Sequence, residues 1–330
     1  MMKRVSDCEL AEMNFADRFE VVSQSWRDVS LESVVAQMPE MTTVNAYGGT
    51  PVKVALLKPN HVDIDDTRTI VRFSEFLNGY NPVQWIGAEV TRQLVAPNSR
   101  MIMMPNNSFG QANHIVPNKP DAIELFNRDA LNTLARNKWT ALDHIDRNKY
   151  RLGKIGLTGW SFGANMALAV ASLKDRQLEV VAVNADEPVS KIGRTAKELS
   201  KDFMKSGGFG EQRQAGKDSG IPAINQAFNA LRLIPDYMKF GIASQGKEAK
   251  QLLESMTGDV NELVKSALSN NPDIQIKLGQ MVGSLIFEPS SVQRQNEVEV
   301  VAYDGPTNRR HATVNNPLVQ GYMAHQGLTI

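Results

Sequence analysis

The chain has 330 residues, 36 of them basic and 36 acidic, so its formal net charge is zero and no long-range field steers it toward nucleic acid or an anionic membrane. Cys8 is the sole cysteine, which excludes an internal disulfide framework and a thiolate metal site. No run approaches the ~18 apolar residues of a membrane span, and the basic start MMKR leads into no apolar signal segment, so a cytoplasmic protein with a neutral or small partner is expected.

Residues 1–41 mix apolar positions with charges and read as a helical or irregular lead-in. At 42–57 the pattern changes to two β-rich runs around Gly48-Gly49, which predicts a hairpin opening the sheet. A third strand is expected at 67–73, then an amphipathic segment at 85–94, then a fully apolar fourth strand at 101–104 that ends in the turn-rich Pro105-Asn106-Asn107-Ser108-Phe109-Gly110. Pro120 and Asp121 start a helix with Ile123, Phe126, Ala130 and Leu134 at helical spacing, extending toward His144. Further strands are expected at 155–158 and 178–183, the second running into Asn184-Ala185-Asp186-Glu187-Pro188. Strand and helix alternate from residue 67 onward, which predicts an α/β protein with a mostly parallel, doubly wound sheet.

From 190 to 279 the composition shifts to Lys, Gln and Gly with amphipathic stripes, one of them Val260, Leu263, Val264, Ala267 and Leu268. A connection of about 90 residues needs structure of its own, and long connections tend to be lids. The stretch reads as a helical insertion that could serve equally as a cap or as a dimerisation element, the latter making the chain a homo-oligomer. The glycine-rich 206–210 suits a hinge or a plain loop equally well. The sheet is expected to resume at 282–287 and 298–303, followed by His311 and a last helix through Leu318 and Met323. The expected organisation is a lead-in at 1–41, a core at 42–189 and 280–330, and an insertion at 190–279.

The chemistry concentrates at Gly159-Trp160-Ser161-Phe162-Gly163, between an apolar run and a run of small residues. A serine on a strand-to-helix turn this tight is held in a strained conformation, and glycines two positions either side remove the Cβ atoms that would collide there. The helix that follows aims N–H groups and a positive dipole end at the same point, so the Phe162 N–H can receive a developing oxyanion. The sequence has no G-x-x-x-x-G-K-[ST], no G-x-G-x-x-G and no His/Asp/Glu spacing of a metal site, so neither metal nor organic cofactor is expected.

In motif and order, residues 42–330 resemble the α/β-hydrolase fold family: a hairpin start, the elbow GWSFG, an insertion after the sixth strand and a histidine after the last strand. The resemblance implies a triad of nucleophile, acid and histidine in that order, mapping onto Ser161, a carboxylate after a late strand, and His311. Glu288 follows the penultimate expected strand and is the first choice for the acid; Asp186 and Asp304 also stand at strand ends. The second oxyanion donor would come from the 74–77 loop, which lacks the usual His-Gly; the Phe76 N–H is the first choice there and Glu75 the next. The implied activity is hydrolysis of an ester, thioester or amide of a small molecule with an apolar acyl part. An acyltransferase or lyase on the same triad, or a non-catalytic binding protein of the same fold, remain alternatives at this stage.

Overall fold

A computed structural model of the chain describes residues 5–45, 51–58, 68–74, 81–105, 130–174, 178–190, 214, 216–230, 257–281, 287–292, 297–303 and 316–328. Eight strands form one sheet: β1 (Thr42–Asn45), β2 (Pro51–Leu57), β3 (Thr69–Phe73), β4 (Arg100–Met104), β5 (Lys154–Trp160), β6 (Glu179–Asp186), β7 (Gln275–Met281) and β8 (Glu299–Tyr303). Their order is β1-β2-β4-β3-β5-β6-β7-β8. The β1–β2 and β2–β4 pairs are antiparallel, and every pair from β4 to β8 is parallel. The two strands of the expected hairpin pair antiparallel and the doubly wound sheet is present, while the Gly48-Gly49 turn lies outside the described residues.

The described helices are α1 (Asp7–Glu12), α2 (Phe15–Arg27), α3 (Leu31–Gln37), α4 (Pro82–Val95), α5 (Ala130–Asn148), α6 (Phe162–Ala171), α7 (Pro222–Ala230), α8 (Val260–Asn270) and α9 (Pro317–Gly327). Period-two alternation in the strands sorts the core into two layers. Val71, Phe73, Ile155 and Leu157 face α5, α6 and α8, whereas Ile70, Met101 and Met103 face α4 and the N-terminal helices. All ten residues of α6 are buried, so the helix behind the elbow is a core helix from end to end.

The lead-in is more ordered than its sequence suggests. Ser6 and Glu9 form a capping box on α1, and Asn14 and Ser30 cap α2 and α3 through their side chains. The lead-in is anchored to the core by Arg92 of α4. Its guanidinium is fully buried and bonds Asp7 at 2.9 Å and Glu89 at 2.6 Å. Burial alone would lower the guanidinium's pKa, but the two carboxylates outweigh it and raise it. Arg92→Met takes the cation from between two buried carboxylates, and a loss of about 3–5 kcal/mol is expected, read by urea denaturation. A change below about 1 kcal/mol would show that the pair is solvated in solution.

Two expectations about the second half are corrected. The seventh strand is Gln275–Met281, ahead of the 282–287 expected from apolar content; residues 282–286 lie outside the described ones. The strand was hidden because one of its faces is polar. Ile276 and Leu278 enter the apolar layer, while buried Lys277, on the other face, donates to the Gln326 carbonyl at 2.6 Å and pairs with Glu299 at 3.4 Å. The stripe at 260–268 belongs to α8, which packs on α6 as the crossover between β6 and β7, so the core resumes before residue 280. Of the stretch between Ser190 and Thr257, the longest described piece is α7 with its approach, and Ala223, Ile224, Ala227 and Phe228 bury themselves against α3 and α4.

Candidate active site

β5 lies between β3 and β6, with Gly159 opposite Phe73 and Trp160 opposite Asp186. The strand ends directly in Ser161, whose φ of 54° and ψ of −125° lie where non-glycine residues rarely sit. The turn is closed by what surrounds it. The Ser161 N–H donates to the Asp186 carbonyl at 2.9 Å, and the Ser161 carbonyl accepts from Ala164 N–H at 3.0 Å. A Cβ on Gly159 would collide with the Gly163 carbonyl and come within 2.8 Å of Ala164 N. One on Gly163 would collide with the Phe73 carbonyl and come within 2.9 Å of the Ser74 carbonyl. Both glycines are therefore fixed by backbone contact.

The Ser161 side chain makes no capping bond to α6, which begins at Phe162. A hydroxyl left out of the cap can act on something else, beside the helix N-terminus. Phe162 is the first residue of that helix. Phe76 and Glu75 lie outside the described residues; of the 74–77 loop, Ser74 is described, its N–H bonded to the Met104 carbonyl at 3.2 Å. His311 and Asp304 also lie outside the described residues.

The two remaining candidate carboxylates occupy different surroundings. Glu288 is exposed, and its N–H donates to Ser190 Oγ at 3.1 Å. Asp186 ends β6 with its carboxyl on the α9 face of the sheet, accepting from Asn184 Nδ2 at 2.5 Å and lying against Gly279, where a Cβ would collide with it. Burial pushes Asp186 up to about 7 and Glu187 adds to the rise, whereas the Asn184 bond, Lys277 and Arg72 oppose it. The same burial, with Asp186 beside it, raises the Tyr303 phenol.

Sequence reasoning passed over Glu187. It has no exposed surface and a φ of 54°, so it and Ser161 are the non-glycine residues with positive φ among those described. Its N–H donates to the Gly279 carbonyl at 2.7 Å, and its Oε1 accepts from Met281 N–H at 2.7 Å. The side chain thus reaches from the end of β6 to the end of β7. The available signal was an acid between a strand end and Pro188, a residue that cannot continue the sheet ladder.

A raised Asp186 has a testable consequence for stability. Between the unfolded value of about 3.9 and the folded value of about 7, the native state holds a proton that the unfolded chain has lost. Stability from this group is therefore full below that window and falls as pH rises through it. Asp186→Asn is expected to flatten the fall, measured as unfolding free energy at pH 4.5 and 7.5; an unchanged slope would contradict the burial of this carboxyl.

No protein-family model matches the sequence, and no curated protein matches it. Solved structures do. The chain superposes on the esterase Pf2001 of Pyrococcus furiosus over 91% of each chain with a TM-score of 0.52 and 12% identity. It superposes on a thermophilic esterase from Thermogutta terrifontis over 87% of this chain and 96% of that one, with a TM-score of 0.50 and 13% identity. Together with the strand order and the elbow, these likenesses define the α/β-hydrolase fold. At such identity they speak of fold alone.

Proposed function

We propose that this chain is a serine hydrolase that cleaves an ester, thioester or amide of a small molecule through an acyl-enzyme on Ser161. The observation that carries this reading is the backbone of Ser161, strained at φ 54° on a strand-to-helix turn whose two glycines admit no side chain. Strain of this kind persists only where the surrounding structure over-determines it, and it concentrates at reacting groups. The esterase neighbours share this fold, which is one that accommodates ester cleavage.

In this mechanism an imidazole nitrogen of His311 takes the proton from Ser161 Oγ as the Oγ–acyl carbon bond forms. The tetrahedral oxyanion is held by the Phe162 N–H and a donor of the 74–77 loop, with Phe76 N–H in that role. Collapse expels the alcohol, thiol or amine, which leaves with the proton from His311. A water molecule, deprotonated by the same histidine, then releases the acid and regenerates Ser161. No cofactor takes part, and an apolar acyl group is the preferred one.

For the acid that orients His311, Glu187 is favoured over Glu288, because it is enclosed and its carboxylate is held at the end of β7. The test is hydrolysis of p-nitrophenyl esters of graded acyl length. Glu187→Gln is expected to lower kcat on the order of 10⁴-fold, and Glu288→Gln by less than about threefold, as for a group outside the reacting network. The reverse pattern would give the role to Glu288. Absence of hydrolysis in the wild type across esters, thioesters and amides would point to a non-catalytic member of the fold.

A further inference from the structure

Within α6, the sequence FGANMALAVA carries a single polar side chain, and that residue, Asn165, is fully buried. A buried amide with unmet bonds would cost stability in an otherwise apolar helix. Its bonds are met from outside the helix. Asn165 Nδ2 donates to the Val189 carbonyl at 3.1 Å and to the Thr257 carbonyl at 2.8 Å, while Oδ1 accepts from Val189 N–H at 2.7 Å.

The grip on Val189 is two-sided, using both its N–H and its C=O as a neighbouring strand would. An amide side chain suits this arrangement because its two N–H donors and its acceptor oxygen sit on separate atoms. Asn165 also stands one helical turn after Ser161, its own N–H bonded to the Ser161 carbonyl at 3.4 Å. Val189 follows Glu187 by two residues, with Pro188 fixing the backbone between them. Glu187 is thus held from its own N–H by Gly279, from its carboxylate by Met281 N–H, and from the far side of Pro188 by Asn165. A left-handed glutamate needs such over-determination to persist.

We propose that Asn165 is a positioning residue that fixes the Glu187 segment in register with the Ser161 elbow, so that nucleophile and acid are located by one side chain. This rests on the serine-hydrolase reading, with Glu187 as the acid. Asn165 touches no reacting atom in this role. It acts through Val189, and its bond to Thr257 ties the approach to α8 into the same point.

The experiment is the rate at which a fluorophosphonate labels Ser161 in the full chain, per folded molecule, for the wild type, Asn165→Ser, Glu187→Gln and the double variant. Asn165→Ser is small and neutral; Asn165→Asp, which keeps the acceptor and loses both donors, serves as the second variant. Folding is checked for each by circular dichroism. A misplacement of order 1 Å costs up to about 10²-fold, so labelling is expected to slow roughly 10- to 100-fold in either single Asn165 variant. In the Glu187→Gln background the further loss is expected to shrink to below about twofold, because the residue acts through Glu187. Wild-type labelling rates in both Asn165 variants, or an equal loss in both backgrounds, would overturn the positioning role and leave Asn165 a packing residue. An unlabelled wild type would instead overturn the assignment of Ser161, and this role with it.

Discussion

Ser161→Ala is expected to abolish turnover, with a loss on the order of 10⁶-fold in kcat, while the protein folds as the wild type does. The first half follows from the mechanism, because alanine leaves no atom to form the acyl bond. The second follows from geometry. The contacts described at the elbow are backbone ones: the Ser161 N–H to the Asp186 carbonyl, the Ser161 carbonyl to α6, and the glycines packed against main-chain atoms. The hydroxyl caps nothing, so its removal leaves no unmet helix donor. A change in stability below about 1 kcal/mol corresponds to a melting shift of about 2–4 °C at most for a domain of this order of size. A variant that kept its turnover would move the nucleophile elsewhere. One that lost its fold would make Ser161 a structural turn residue.

The opposite balance is expected at the flanking glycines. Gly163→Ala would drive a methyl into the Phe73 and Ser74 carbonyls, at the end of the strand that neighbours β5. No flexible side chain is available there to move aside, so β3 and α6 must separate. Overpacking of this kind costs about 1–3 kcal/mol, and more is expected here because the obstacle is main chain. Turnover should fall by at least about 10²-fold through misplacement of Ser161 alone. Gly159→Ala meets the Gly163 carbonyl and should behave likewise. These variants and Ser161→Ala therefore separate the two halves of the elbow. Loss of stability with activity marks the glycines, and loss of activity without stability marks the serine. A Gly163→Ala protein with wild-type melting and turnover would show that the turn is looser in solution than its packing implies.

How much of this was legible before the structure depends on how local each feature is. The elbow was readable because its constraint lies within five consecutive residues, where two glycines and a serine already specify the turn. The parallel sheet was readable from alternating apolar runs and helices. β7 was not, because Lys277 and Gly279 face a buried polar layer that no hydropathy pattern announces. That layer includes Arg72, bonded to Thr91 Oγ1 at 3.0 Å and to Gln320 Oε1, and Asn184 with Asp186. Burying polar groups in this way requires partners distant in sequence, such as Gln320 of α9 for Arg72 of β3. The same distance hid Glu187 and Asn165. Glu187 is distinguished by a positive φ and by Met281, and Asn165 by Val189 and Thr257. Glu288, by contrast, follows the strand expected at 282–287, while the sheet strand ends at Met281.

The measurement that bears most directly on the central claim is covalent labelling of the purified protein by a fluorophosphonate, with the modified peptide located by mass spectrometry and His311→Ala as the control. Labelling at Ser161 in the wild type that falls at least tenfold in the control, as expected when a general base is removed, is the outcome the mechanism requires. A folded wild-type protein that takes up no label, or takes it up at another residue, would contradict it.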